Sequence, residues 1–327
     1  MNASADPPVA RHRVVDVCAL ALDRACWRTY FQDLAAVAPT YLRAFGRHAA
    51  SVFGAEYAAF RARLDAGDRD GAIDLLVAGR PERTDPGDLV RTMDGNGVVH
   101  QILMSCGGTT ADGDDVNDRV AAVAAKAPDR LQAWAGIDLT DPDRAVAELE
   151  RCHALGMRGF AVTPFWQGTD PRDPACDPVY RRADELGMPL WLHTGHHFAR
   201  HAHDLCHPRN VDHIARRHPG LPIVAGHAAW PWVLEMISIA QRHRHVYLDI
   251  SSHRPPWMAR PGSGWEPLLL YGATTLRDRI LFGSATWVNA DPVAVLAGQV
   301  AALGLGAEVT DNWLYGNAAR LLGLEQH

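Results

Sequence analysis

Lysine is nearly missing from this 327-residue chain, since of its 32 basic residues only Lys126 is a lysine. It lies in Arg119-Val-Ala-Ala-Val-Ala-Ala-Lys126, which reads as a surface helix, so Schiff-base chemistry and lysine-held pyridoxal phosphate do not fit. Positive charge is not in excess either. With 38 acidic residues the formal charge is −6, which leaves no electrostatic footprint for a phosphate backbone, and nucleic acid is not an expected partner. The six cysteines, at 18, 26, 106, 152, 176 and 206, contain no CxxC pair. No signal peptide is read ahead of them, so a reducing cytoplasm is expected. Long apolar runs are absent: Val14 to Leu22 is too short to span a bilayer and carries Asp16, and no membrane segment is expected. A GxGxxG turn after an early strand is missing too, which counts against an open doubly wound sheet.

What is present is ordinary globular composition, 47% hydrophobic and 21% charged, in which short β-rich runs alternate with segments of helical period. Eight such runs stand at Arg13–Cys18, Val98–Met104, Leu131–Ile137, Gly159–Thr163, Pro189–His193, Pro222–His227, His245–Ile250 and Arg279–Ser284. Several are almost continuously apolar, as strands buried on both faces are. Between them, Asp141-Pro-Asp precedes a helical stretch to Leu155, Asp177-Pro one to Leu186, and His207-Pro one to Arg217. Proline in the first turn and glycine after the last, as at Gly156 and Gly187, bracket helices. Eight right-handed crossovers at this spacing predict an α/β fold, a (β/α)8 TIM barrel.

The chain divides on this reading into a loose tail over 1–12 and one barrel domain over 13–327, with an inserted helical lid region at 19–85. The insertion follows strand 1 and holds Trp27, Tyr30, Phe31, Tyr41, Phe45, Phe53, Tyr57 and Phe60. Long elements after a barrel strand fall on the active-site face. These aromatics either help to cover that face or pack a small core of the insertion's own.

Reactive groups of such a barrel stand at the carboxyl ends of strands. Strand 1 closes in Asp16-Val-Cys18-Ala-Leu20, strand 5 in His193-Thr-Gly195, strand 6 in Gly226-His227-Ala and strand 8 in Ser284-Ala285-Thr-Trp287. Two histidines are thus delivered to one face. Here the chain resembles the amidohydrolase superfamily, in its amidohydrolase-related branch of decarboxylases and hydrolases acting on small carboxylated, often aromatic, substrates. The resemblance rests on blocks in order: Asp173-Pro to Tyr180; Leu186-Gly-Met-Pro-Leu-Trp-Leu-His193-Thr-Gly; His218-Pro-Gly to Trp232; Val246-Tyr-Leu-Asp-Ile-Ser251; Arg279-Ile-Leu-Phe-Gly-Ser284; and Trp313-Leu-Tyr-Gly-Asn317 to Leu322.

That resemblance implies a metal held by a strand 1 His-x-His pair, the strand 5 histidine and a strand 8 aspartate, with the strand 6 histidine as ligand or proton carrier. Cys18 and Leu20 stand where the pair belongs and Ala285 where the aspartate belongs, so no metal ligand and no cofactor is expected. Thr163-Pro164 also replaces the carboxylated lysine that bridges two metals in some members. A branch resembling pyrone dicarboxylate lactonases works without metal, but through the aspartate that Ala285 replaces.

Three functional readings stand open. In the first, His193 and His227 act as general acid and base, without metal, in lyase, isomerase, cyclisation or decarboxylation chemistry. In the second, zinc on Cys18, His193 and His227 assists a decarboxylase or hydrolase. In the third, the barrel only binds a ligand or serves as a scaffold. Cys18, Trp166, His196, Trp230, His253, Arg254 and Trp287 are candidates for the substrate wall, tryptophans suiting a flat aromatic ligand and Arg254 its carboxylate. His201, His203, His207, His213, His218, His243 and Arg244 read as solvated surface. A homodimer is expected from the resemblance alone.

Overall fold

The computed structural model describes residues 12–324; the expected tail lies outside them apart from His12. Eight parallel strands follow one another around a barrel in chain order. They are β1 (Val14–Ala19), β2 (Val98–Met104), β3 (Leu131–Gly136), β4 (Gly159–Val162), β5 (Leu190–His193), β6 (Ile223–Gly226), β7 (Val246–Asp249) and β8 (Ile280–Leu281). The last strand joins the first through Val17 N–H to the Phe282 carbonyl and Ala285 N–H to the Cys18 carbonyl, both 3.0 Å. β8 is shorter than the expected run to Ser284 because Ser284 N–H turns to the Asp16 carboxylate at 2.8 Å. β6 stops before His227, whose φ of 61° takes the chain out of extended geometry.

The strands are apolar on both faces because each face has its own packing partner. Inside the barrel, Val15, Val17, Ile102, Met104, Trp134, Trp191, Val224 and Leu281 fill the interior, so it is a packed core with no pore. Outward-facing residues pack against the helices in a second, larger core. The helix signals have the expected effect. Asp141 accepts from Arg144 N–H at 3.2 Å ahead of the helix Pro142–Ala154. Gly187, at φ 64°, ends the helix Asp177–Leu186.

Between β1 and β2 run five helices, α1 (Arg24–Val37), α2 (Tyr41–Phe53), α3 (Tyr57–Asp65), α4 (Arg69–Val77) and α5 (Pro86–Asn96). Asp23, Glu56, Asp68 and Asp85 cap four of them by accepting first-turn N–H groups, which is why such short segments hold. Trp27, Phe31 and Phe53 pack with ring centroids 4.9 to 5.9 Å apart, and Phe60 is fully buried. Those rings form the insertion's own core. Tyr30, Leu34 and Tyr41 face elsewhere, into the cavity at the barrel mouth.

Candidate active site

A cavity of about 310 Å³ opens at the carboxyl ends of the strands. The barrel contributes Cys18, Met104, Ala161, Trp191 and His193; the loops contribute Phe165, Trp166, His196, His197, Phe198, His227, Trp230, His253 and Trp287. The insertion adds Tyr30, Leu34 and Tyr41 to the lining. No Lys, Arg, Asp or Glu is among the described lining residues. A second cavity of about 570 Å³ shares Ser105, Cys106, Ala161, Thr163 and Trp166 with it and is lined by no histidine among the described residues.

Of the residues expected at the site, His193, His227, Cys18, Trp166, His196, Trp230, His253 and Trp287 all line the first cavity. Arg254 does not, and this corrects its expected contact with substrate: its guanidinium donates to the Asn289 carbonyl at 2.9 Å. His197, which the sequence reading did not place at the site, is the buried member of the adjacent pair and stacks on Phe165 at 5.0 Å, whereas His196 is exposed. Three histidines expected on the solvated surface are instead tied down: His218 meets Asp177 at 3.1 Å, His243 meets Asp212 at 2.8 Å and His201 meets the Phe165 carbonyl at 2.9 Å.

The His193 and His227 rings lie 4.8 Å apart, edge to face. Trp191 holds His227 on one side, its ring centroid 5.3 Å away, and Phe165 stands 4.6 Å from His193. Trp191 can lie across β6 only because Gly226 is there, where a Cβ would come within 2.3 Å of the indole. Trp191 and Ser251 also hold Asp249, a fully buried carboxylate that nothing in the sequence reading singled out. Strand parity was the available signal, because a polar residue between Leu248 and Ile250 at the end of an apolar run points into the barrel. On β1 a second fully buried carboxylate, Asp16, takes Gln101 Nε2 at 2.9 Å and the Ser284 hydroxyl at 2.6 Å, but it lies between the interior residues Val15 and Val17 and so has the opposite strand parity.

Burial governs the charges. It lowers His227 to about 4 and His253 to about 3, and it carries His193 well below the ordinary imidazole range, with His227, His197 and His196 adding to the effect. His197 falls to about 4 by burial and the neighbouring His203. At neutral pH these rings are uncharged. Asp249 rises to about 6, burial outweighing its hydrogen bonds. The Cys18 thiol is pushed well above its usual range by burial and then by Asp249, so a Cys18 thiolate, which zinc coordination would require, is disfavoured.

The barrel places the chain in a fold class, and its sequence places it in a family. The family model described as Amidohydrolase matches residues 108–324, more than half of the chain, which therefore belongs to that family. A gamma-resorcylate decarboxylase from Rhodococcus jostii is 30% identical over 171 residues, covering 42% of this chain and 51% of that protein. The chain spans between about a quarter and a half of the length of the curated relatives it matches. Among solved structures, an uncharacterized TIM-barrel protein from Bordetella bronchiseptica superposes with a TM-score of 0.66 at 22% identity, over 95% of this chain and 98% of that one. A 5-carboxyvanillate decarboxylase from Novosphingobium aromaticivorans, complexed with manganese and a nitrobenzoic acid ligand, gives 0.58 at 18% identity, over 95% and 96%.

That manganese corrects the expectation that no cofactor is involved, since a structural neighbour carries a metal. Among the described residues no three His, Cys, Asp or Glu side chains gather as a metal would need. The described residues do not fit such an ion. Among the described residues, no helix is long and apolar enough to cross a membrane.

Proposed function

We propose that this protein decarboxylates a small hydroxylated aromatic acid in the cavity that His193 and His227 share. The observation that carries the reading is the pair of neutral imidazoles 4.8 Å apart in a cavity with tryptophan walls and, among the described residues, no charged lining residue. Such walls suit a flat ring. They also penalise a carboxylate and favour the neutral products, an arene and carbon dioxide, which drives the reaction in the direction of charge loss.

The balance is ArCO₂⁻ plus a proton giving ArH plus CO₂. The electron pair of the breaking carbon–carbon bond stays on the ring carbon, which must be protonated. His227 is the proton carrier: it takes a proton from the substrate's acid or phenol group, or from water, and returns it to that carbon. An imidazolium whose pKa lies near 4 is a strong donor once loaded, which suits delivery to a weakly basic carbon. His193, edge-on to His227, orients the substrate's polar group. The family match and the decarboxylase relatives support the reading.

The test is incubation with gamma-resorcylate and other hydroxybenzoates, with and without added manganese, and chromatography for the decarboxylated phenol. Product is expected, with His227→Asn lowering turnover roughly 10²-fold or more. No phenol from any acid under either condition would sink the proposal, and unchanged turnover in His227→Asn would remove that residue from its role.

A further inference from the structure

We infer that Ser251 and Asp249 are positioning residues that fix the tautomer of His227, placing the proton on Nδ1 and the free lone pair on Nε2 toward the cavity. The Ser251 hydroxyl lies 2.5 Å from Asp249 Oδ2 and 2.8 Å from His227 Nδ1. A hydroxyl has one proton to give, and a carboxylate can only accept. The proton of Ser251 therefore goes to Asp249, and its oxygen accepts from His227 Nδ1–H. Nε2 is left as the basic nitrogen on a ring that lines the cavity.

The direction of this relay is set from its buried end. Asp249 also accepts from Ser251 N–H at 2.8 Å and from the Trp191 indole at 3.1 Å, so its oxygens face donors on several sides. The Cys18 thiol borders Ser251 as well, but sulfur is a weak acceptor and does not compete with a carboxylate at 2.5 Å. The packing leaves no slack. A Cβ on Gly283 would come within 2.5 Å of Asp249 Oδ1 and 2.8 Å of the Ser251 Cβ, so the backbone of the barrel's last turn is pressed against the pair. His227 itself departs from the strand at positive φ, as do Ala228 and Ala229. That backbone conformation is unfavourable for residues with a side chain, and here it accompanies the turn of the imidazole toward Ser251.

The assignment of a tautomer stands independently of the reaction, while its effect on turnover rests on the proposed decarboxylation. The protein carries 17 histidines, so the ring is identified in ¹⁵N-histidine spectra of the full chain by the signal that His227→Asn removes. At neutral pH its Nδ1 is expected at the protonated position and its Nε2 at the unprotonated one. Ser251→Ala is expected to shift the pair toward the opposite tautomer or a mixture, and Ser251→Thr, which keeps the hydroxyl, to restore the wild-type pattern. On any acid that the enzyme turns over, Ser251→Ala should lower kcat roughly 10-fold or more with little change in KM. A wild-type ring with its proton on Nε2 would overturn the inference, and that measurement needs no variant of Ser251 to fold. A Ser251→Ala spectrum identical to wild type would overturn it too. Absence of turnover with the expected wild-type tautomer would count against the decarboxylation alone.

Discussion

The histidines of the cavity are held neutral by burial, and the same burial ties the stability of the fold to pH. For His227, His197 and His253 the folded pKa lies at about 4, about 4 and about 3, below the ordinary 6.5. Between those limits the unfolded chain binds more protons than the folded one, so their contribution is complete above pH 6.5 and is lost as pH falls through the folded values. Asp249 acts in the opposite sense, because its pKa is raised from 3.8 to about 6 and its contribution is lost as pH rises through that window. Three rings outweigh one carboxyl. The melting temperature is therefore expected to fall on acidification from about pH 7 to about pH 4, and His253→Phe to flatten that fall. A melting temperature that is level or rises over this range would contradict the assignment of neutral buried rings.

Strand ends and the insertion do different work, and each can be perturbed alone. At the end of β8, Gly283 is the only residue type that fits, because a Cβ there meets Asp249 Oδ1 at 2.5 Å and the Cys18 Cβ at 2.7 Å. Gly283→Ala is expected to cost about 1–3 kcal/mol through overpacking and to break the hydrogen bonds that hold Ser251. Urea denaturation would measure the first effect, and the ¹⁵N signature of His227 the second. In the insertion, Phe60 of α3 is fully buried and would meet a Cβ on Gly46 of α2 at 2.6 Å, so these two helices touch at close range. Phe60→Ala should destabilise this unit by about 3–5 kcal/mol. Hydrogen exchange would then rise in the insertion while the barrel strands stay protected; a uniform rise across the chain would show that the two do not open separately.

Seen over the whole chain, what the sequence made legible is what backbone periodicity controls. The eight strands fall within a few residues of their expected places, and His193 and His227 come together because successive parallel strands set their ends side by side. Three features were hidden for physical reasons. Arg254 turned to a carbonyl on a neighbouring loop, a choice made by loop geometry. Asp249 and Ser251 became partners of His227 across 24 residues, through contacts that no local spacing encodes. His197 instead of His196 was buried because the loop after β5 does not keep strand alternation.

The cavity's position between two parts of the molecule leads to a last expectation. Tyr30, Leu34 and Tyr41 come from the insertion, and Trp191 and His193 from the barrel, yet they line one space. An occupant must touch both, so binding should stabilise the insertion against the barrel as well as the fold as a whole. At 100 times Kd the gain is about 2.7 kcal/mol, visible as a raised melting temperature and as added exchange protection in α1 and at the start of α2. Because no charged residue lines the cavity among the described residues, a phenol should enter without change in protonation. A benzoate of the same shape should bind with uptake of about one proton, because an unpaired buried carboxylate is costly. Calorimetry in two buffers of different ionisation enthalpy separates these cases. Carboxylate binding with no proton uptake, or a raised melting temperature without protection in the insertion, would show that the ligand sits elsewhere or meets a positive charge that the lining residues do not supply.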